Sequence, residues 1–248
     1  MLESIGTNVF SDFIFLLIII ALGWIIIALT RRSRLLKFFG INASRRIVVY
    51  LANLRVKQFG AIGIDGRQRS YQGSAVPFGE MLIANRFRDL FNYLIPSLSD
   101  RPGILSKILI SDVQVQLSTS PLNHGKLEPS ASFITFGSPA YNAASGFVET
   151  ELHSQARFNK DYSEISVANV PPITEVTHGF VERIVDHDKK RSIFYAASLG
   201  ELGTVGAAHF LATEWARLHR KYGHDTAFLV MLRFEPTDYR RWSIVFER

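Results

Sequence analysis

A six-residue segment, GSPAYN, combines residue types that can bind a phosphate and a nucleobase. Gly137 permits a tight turn and a close approach of a ligand to the backbone. Ser138 suits a helix N-cap and Pro139 the first helical position, so the free N–H groups of a helix start are predicted here, where they can bind a phosphate. Tyr141 can stack on a base, and Asn142 can hydrogen-bond a base edge or a sugar hydroxyl. An ordinary capped turn from strand to helix explains the same residues.

A second glycine-rich segment, SLGELGTVGAA, has three glycines within seven residues between a predicted strand and a predicted helix. Besides Gly200, it contains Gly203 and Thr204, which can present N–H and hydroxyl groups to a phosphate. Glu201 can act as a base or orient a ribose hydroxyl. The lysine of a Walker loop and the third-glycine spacing of the dinucleotide fingerprint are both missing.

The residues Gly200–Thr204 resemble the GGxGTxxE loop of the lysine-decarboxylase-like (LOG) proteins, which belong to the wider SLOG group. The resemblance implies a Rossmann-like domain, in a group whose families cleave nucleotides or sense nucleotide-derived signals, including in bacterial anti-phage defence. Glu201 replaces the second glycine of the loop, and Ala207 replaces its catalytic glutamate. The missing carboxylate implies a sensor and not an enzyme. The GSPAYN segment is similar in kind to the other nucleotide-contacting loop of such folds.

Each of these segments joins a strand to a helix. The first follows the predicted strand Ser132–Phe136 and precedes a helix that runs from just past Pro139 towards His153. The second follows the predicted strand Arg191–Ala197 and precedes the predicted helix Val205–Lys221. Repeated strand–glycine–helix units are typical of a wound α/β sheet, in which ligands bind beyond the carboxyl ends of the strands.

Further elements are predicted from hydrophobic periodicity. One helix, Gly79–Leu94, is closed by Pro96, and a loop with several glycines precedes it. Strands are predicted at Arg46–Leu54, Lys107–Leu117, Ser163–Val170, His178–Val185, Ala227–Phe234 and Arg241–Phe246. Of these, Ser163–Val170 and His178–Val185 are predicted to be strands of one meander. Ala227–Phe234 and Arg241–Phe246 are predicted to form a terminal hairpin or two adjacent strands.

The run Phe13–Thr30 has no charged residue and is apolar on every face, which predicts a transmembrane helix. A cluster of arginines and a lysine follows it, beginning at Arg31. By the positive-inside rule the chain after the helix is cytoplasmic and the N-terminus lies outside. A cleaved signal peptide has the opposite order of charge and apolar run. A buried core helix is the alternative interpretation.

The chain therefore divides into an anchor or pore helix at residues 1–34, a basic link at 35–45 and a ligand-binding domain at 46–248. The apolar residues of the link are predicted to lie at the headgroup level. The predicted fold class is α/β: an N-terminal transmembrane helix, then a Rossmann-like wound sheet with additional antiparallel strands.

Small residues in the span, Ala21, Gly23 and Ala28, allow close approach of several copies. In such an assembly Asn8, Ser11 and Asp12 would form polar rings at the outer mouth of a pore, although an interfacial position or a helix N-cap explains Asp12 equally well. The expected assembly is a homo-oligomer, a tetramer or a larger even number of copies.

Composition narrows the chemistry. The 248 residues contain no cysteine, which excludes disulfides, thiolate metal sites and thiol catalysis, and the net charge is +6. The seven histidines lack the spacing of a helical metal pair, so neither a metal nor a cofactor is expected.

Two further sites have cationic groups. Arg86 lies on the predicted helix Gly79–Leu94 and is a candidate ligand residue, whereas Arg88 lies on another face. The segment Tyr239–Trp242 (YRRW) can contact a base or simply form a surface turn.

Three functions remain open. The first is an effector in the bacterial inner membrane: a nucleotide or short single-stranded oligonucleotide, such as the oligodeoxyadenylate of some anti-phage signalling systems, controls an oligomeric pore. This function includes what the SLOG resemblance implies. The second is a membrane-tethered nucleotide hydrolase or glycosyl-transferring enzyme that uses Glu201 or Asn142. The third is an anchor that recruits another protein.

Overall fold

The computed structural model describes residues 2–41, 46–62, 68–92, 113–119 and 131–248. The helices are α1 (Leu2–Phe38), α2 (Phe78–Asn92), α3 (Ala143–Glu151) and α4 (Glu201–Tyr222). The strands are β1 (Arg46–Leu51), β2 (Leu54–Ile62), β3 (Gln68–Ala75), β4 (Gln114–Thr119), β5 (Ser132–Phe136), β6 (Ala156–Phe158), β7 (Ile165–Val167), β8 (Val170–Ile173), β9 (His178–Asp186), β10 (Arg191–Ser198), β11 (Phe228–Glu235) and β12 (Asp238–Glu247).

A seven-stranded mixed sheet organises the domain, in the order β12-β11-β9-β10-β5-β1-β4. Strands β10, β5, β1 and β4 run parallel, whereas β9, β11 and β12 pair antiparallel with their neighbours. The predicted α/β class and the additional antiparallel strands are thus confirmed, and β11 and β12 form the terminal hairpin.

Apolar side chains cover both faces of this sheet. One core joins the sheet to α2, α4 and the end of α1. The other joins it to α3 and to the small sheet β6-β7-β8. The described part of the domain therefore has three layers, with the main sheet in the middle.

Two predictions from the sequence are wrong: the loop before α2 and the pairing of two strands in one meander. The glycine-containing stretch before α2 was expected to be a loop, but its described part forms the hairpin β2–β3, with Gly60 and Gly73 inside the strands. The predicted meander is also wrong, because β7 pairs within the small sheet and β9 within the main sheet. Pro171 and Pro172 lie in β8, which is an edge strand as proline requires, and the small sheet ends there.

Parts of three predictions lie outside the described residues. They are Gly63 and Gly66 of the predicted glycine loop, the part of the predicted strand Lys107–Leu117 before Val113, and Pro96 after the predicted helix Gly79–Leu94.

Helix α1 contains a segment, Phe13–Phe38, that is long and apolar enough to cross a membrane. The large apolar side chains between Phe13 and Leu29 are exposed to at least 41%. The backbone of Asn8, Ser11 and Asp12 lies within this helix, so Asp12 is not its N-cap. With 37 residues, α1 is about 55 Å long.

The last turns of α1 enter the domain. Leu35, Phe38, Phe39 and Ile41 are at most 7% exposed and belong to the core that covers one face of the main sheet. These residues were expected at the headgroup level, within a link. The rings of Phe38 and Phe39 pack instead against Phe194, at centroid distances of 5.3 and 4.7 Å. Burial in this aromatic cluster removes them from both water and lipid headgroups.

We expect Phe38→Ala to lower the free energy of unfolding of the domain by about 3 to 5 kcal/mol, because it empties a fully buried site. Urea unfolding of the detergent-solubilised chain measures this change. Phe15→Ala is the control, since Phe15 is 64% exposed and should leave domain stability unchanged. Equal effects of the two substitutions would contradict the placement of Phe38 in the core.

Candidate functional site

The carboxyl ends of β1, β5 and β10 meet at one edge of the main sheet because these strands are parallel. Gly137 follows β5 with a φ of +77°, a conformation that favours glycine. Its N–H donates to the carbonyl of Ala196 in β10, at 3.1 Å. The predicted glycine segments therefore do lie together at this edge.

Asn142, and not Ser138, is the N-cap of α3, and the helix starts at Ala143. Its side-chain oxygen accepts from the N–H of Ala144 at 2.9 Å. Its amide group donates to the carbonyls of Tyr50 and Phe136, at 3.2 and 2.8 Å. Through these hydrogen bonds the fully buried Asn142 joins β1, β5 and α3.

The rest of the GSPAYN segment forms the turn before α3. Pro139 lies in this turn and not at the first helical position, and the carbonyl of Ser138 accepts from the N–H groups of Tyr141 and Asn142. Tyr141 is 53% exposed, which leaves its ring accessible for stacking.

The second glycine segment is mostly helical. Helix α4 starts at Glu201 and not at Val205, so Gly203 and Thr204 lie in its first turn. A Cβ atom on Gly203 would lie 2.2 Å from the Ser198 hydroxyl oxygen, and Thr204 is 3% exposed. A Cβ atom on Gly206 would lie 2.6 Å from the Phe234 ring. The glycines therefore let α4 pack closely on the strands beneath it.

Two carboxylates lie beside these residues at the edge. Glu201 accepts from the N–H of Gly79, at 3.1 Å, in the first turn of α2. Glu80, which is 3% exposed, accepts from the N–H of Ala52 just past β1, at 2.7 Å. Burial raises the pKa of Glu80 to about 7, against the lowering effect of the Ala52 N–H, and the charge of Glu201 raises it further. An anionic ligand at this edge would lie near the exposed carboxylate of Glu201, whereas Glu80 is buried.

A cleft of about 640 Å³ lies between α2 and α4 and extends to α1 and the β11–β12 turn. Its polar and aromatic lining residues are Arg31, Asn85, Arg86, Asp89, His209, Thr213, Trp215 and Tyr239. The volume is within the usual range for small-molecule sites.

Cations and rings dominate this cleft. The guanidinium of Arg31 lies 5.9 Å from the centre of the Trp215 ring. The rings of His209 and Tyr239 meet edge to face, at 5.5 Å. Burial lowers the pKa of His209 to about 4; Arg86 and Arg240 lower it further, whereas Asp238 opposes them. His209 is thus neutral at pH 7, and the lining of the cleft has two guanidinium groups, Arg31 and Arg86, and one carboxylate, Asp89.

The structure separates the predicted site residues. Arg86 lines the cleft, whereas the two glycine segments lie at the carboxyl edge. Sequence reasoning missed Arg31, which it assigned to membrane topology, and His209, which it considered for metal binding alone. Tyr239 had been left open. Their meeting depends on the packing of α1, α2 and α4, for which no local sequence signal exists.

Within the described residues, no group of three or more His, Asp or Glu side chains is placed to hold a metal ion. Searches with models of protein families, among curated proteins and among solved structures found no match to the chain.

The pH dependence of stability should carry the signature of Glu80. Its pKa is raised from the ordinary 4.5 to about 7, so its stabilising protonation is fully present below pH 4.5 and is lost as the pH rises through about 7. Glu80→Gln keeps an acceptor for the Ala52 N–H and does not ionise. We expect its free energy of unfolding to change less between pH 4.5 and 8, by up to about 3 kcal/mol.

Urea unfolding at several pH values measures this difference. Glu151→Gln is the matched control, because Glu151 is exposed at the end of α3. Identical pH profiles for the wild type and Glu80→Gln would show that the Glu80 carboxyl does not bind a proton on folding.

Proposed function

We propose that this protein is a membrane effector whose domain binds a nucleotide or short single-stranded oligonucleotide in the interhelical cleft, and that occupancy controls an oligomeric assembly of α1 helices. One observation carries the proposal: Arg31, on the same uninterrupted helix as the apolar segment, lines the cleft together with Arg86 and Tyr239. A ligand in the cleft would therefore touch the membrane helix directly.

The chemistry of the cleft suits such a ligand. Arg31 and Arg86 supply guanidinium groups for phosphates, and the partly exposed Tyr239 supplies a ring for a base. Trp215 and the neutral His209 are 3% and 7% exposed and form part of the wall. The carboxyl edge suits an anion less well, because Glu80 and Glu201 lie there. We therefore place the ligand in the cleft and not at the glycine segments. Oligodeoxyadenylate, which presents phosphates and purines, is a suitable candidate.

The apolar segment of α1 supports the membrane part of the proposal. In its charge-free part, the span Phe13–Thr30, every large apolar side chain is exposed, as expected for a helix that meets lipid or further copies of itself. With Arg31, Arg32, Arg34 and Lys37 after the span, we propose a cytoplasmic domain at the bacterial inner membrane and an outward N-terminus. Copies of Asn8, Ser11 and Asp12 would then line the outer mouth of a homo-oligomeric pore, of four or a larger even number of chains.

We propose a Rossmann-like domain, which the strand order supports; its SLOG kind rests on the sequence resemblance of Gly200–Thr204 alone. In the parallel part of the sheet, β4 lies on one side of β1, whereas β5 and β10 lie on the other. The chain thus changes the side on which it adds strands between β1 and β5, and helices cover both faces. Gating requires that the ligand bind two arrangements of the assembly with different affinity.

A second function, a membrane-tethered nucleotide hydrolase or glycosyl-transferring enzyme, is favoured by Glu80. A carboxyl with a pKa of about 7 at the carboxyl edge suits general acid–base chemistry at neutral pH. Glu80 is 3% exposed, so a substrate would reach it after an opening of this edge. Loss of nucleotide turnover in Glu80→Gln would support this function.

We expect a short oligodeoxyadenylate or a mononucleotide to raise the melting temperature of the detergent-solubilised protein, because binding to the folded state stabilises it by mass action. Arg86→Gln should weaken binding at least roughly tenfold, through loss of a charge-assisted contact. Arg88→Gln is the control, since Arg88 is also exposed on α2 and does not line the cleft. In proteoliposomes, the same probe should change ion flux for the wild type and the control variant.

No melting shift with any nucleotide or oligonucleotide would contradict the sensor and would favour an anchor that recruits a protein. A shift that both variants retain would place the ligand outside the cleft.

A further inference from the structure

A second groove lies on the other side of Arg31, between the end of the apolar run of α1 and the C-terminal half of α4. Its volume is about 550 Å³. It is lined by Ile26, Ile27, Thr30, Arg31, Arg34, Trp215, Ala216, His219 and Arg220. This lining includes no acidic side chain.

The polarity of this groove changes along α1. Ile26 and Ile27 lie in the apolar run and are 64% exposed. Arg31 and Arg34 follow one and two turns later, across about 12 Å of helix from Ile26 to Arg34. Given the proposed span, on which this inference rests, the groove crosses the boundary between hydrocarbon and headgroups. An occupant must therefore be apolar at one end and polar at the other.

The polar end of the groove has an excess of positive charge. The pKa of His219 is lowered by burial and then by His224, Arg34, Arg183 and Lys37. These four groups are all basic. Arg220, one residue further on α4, is exposed and lines the same groove. Glu214, five residues before His219 on α4, forms an ion pair with Arg217 at 3.4 Å and does not line the groove.

We propose that this groove binds an anionic phospholipid of the cytoplasmic leaflet, with an acyl chain along Ile26 and Ile27 and the phosphate among Arg31, Arg34 and Arg220. A free phosphate would leave the apolar end unfilled, and a zwitterionic lipid would offset less of the positive charge. The bound lipid would hold α4 against the membrane surface. Because Arg31 lines both the groove and the cleft, lipid occupancy and cleft occupancy are coupled through one side chain.

The test uses the full-length protein, purified in a neutral detergent and stripped of lipid. Phosphatidylglycerol and phosphatidylcholine are titrated separately, and melting temperature and lipids retained in native mass spectrometry are recorded. We expect the half-saturating concentration of phosphatidylglycerol to be at least roughly tenfold lower than that of phosphatidylcholine. The double variant Arg34→Gln/Arg220→Gln should lose this preference.

The matched control is Lys160→Gln/Arg233→Gln, which removes the same charge at exposed positions away from the groove. Both variants are first compared without lipid, so that a general loss of stability is visible. Equal responses to the two lipids in the wild type, or equal responses of the two double variants, would overturn the proposal. So would an equal effect of sn-glycerol 3-phosphate, which would show an anion site without lipid.

A separate arm isolates the proposed span. The full chain is mixed with phosphatidylcholine vesicles, washed with alkaline carbonate and floated. A chain that floats and shows no lipid preference overturns the lipid site and leaves the membrane effector standing. A chain that does not float overturns both.

Discussion

The seating of Phe38 between Arg183 and the sheet is the contact on which the rest of the arrangement depends. Arg183 is fully buried, and its guanidinium lies 5.0 and 5.1 Å from the ring centres of Phe38 and Phe228. A buried cation is costly unless it is hydrogen-bonded, and this one donates to the carbonyls of Gly223 and Thr226, just past α4. Burial lowers its pKa to about 10, so it stays charged at neutral pH. One side chain thus joins β9, the end of α4 and the end of α1. Both the cleft and the second groove lie where α1 leaves the core.

Sequence patterns predicted the elements that are simplest physically. The strand Ser132–Phe136 is short and buried on both faces, and its predicted bounds agree with the structure. The predicted strand Arg191–Ala197 is one residue shorter than β10, which ends at Ser198. Helix α2 followed from apolar residues at three- and four-residue steps, because that spacing places them on one buried face. The apolar segment of α1 was visible because no charge interrupts it.

The site was less accessible to sequence reasoning, because the cleft brings together Arg31, Arg86, His209 and Tyr239, which are far apart in the chain. Gly203 was singled out for phosphate binding, and the structure shows that the absence of a side chain there lets α4 pack closely on the strand beneath it. The polar type of Asn142 suggested ligand contacts, yet its buried amide is used in capping and in joining strand ends. In each case the residue type suits binding, and the structure adds a packing role that the sequence alone did not show.

We propose that α1 and the domain move as one rigid body, because the end of α1 is buried in the core, and that a ligand in the cleft therefore acts on the membrane helix. The chain has no cysteine, so spin labels can be placed without background. We would label Trp24→Cys in α1 and Arg233→Cys in β11, dilute the doubly labelled protein with unlabelled protein, and measure the distance distribution by double electron–electron resonance. We expect one narrow distribution in the absence of ligand. A broad distribution would show a flexible joint between the two parts and would contradict direct coupling.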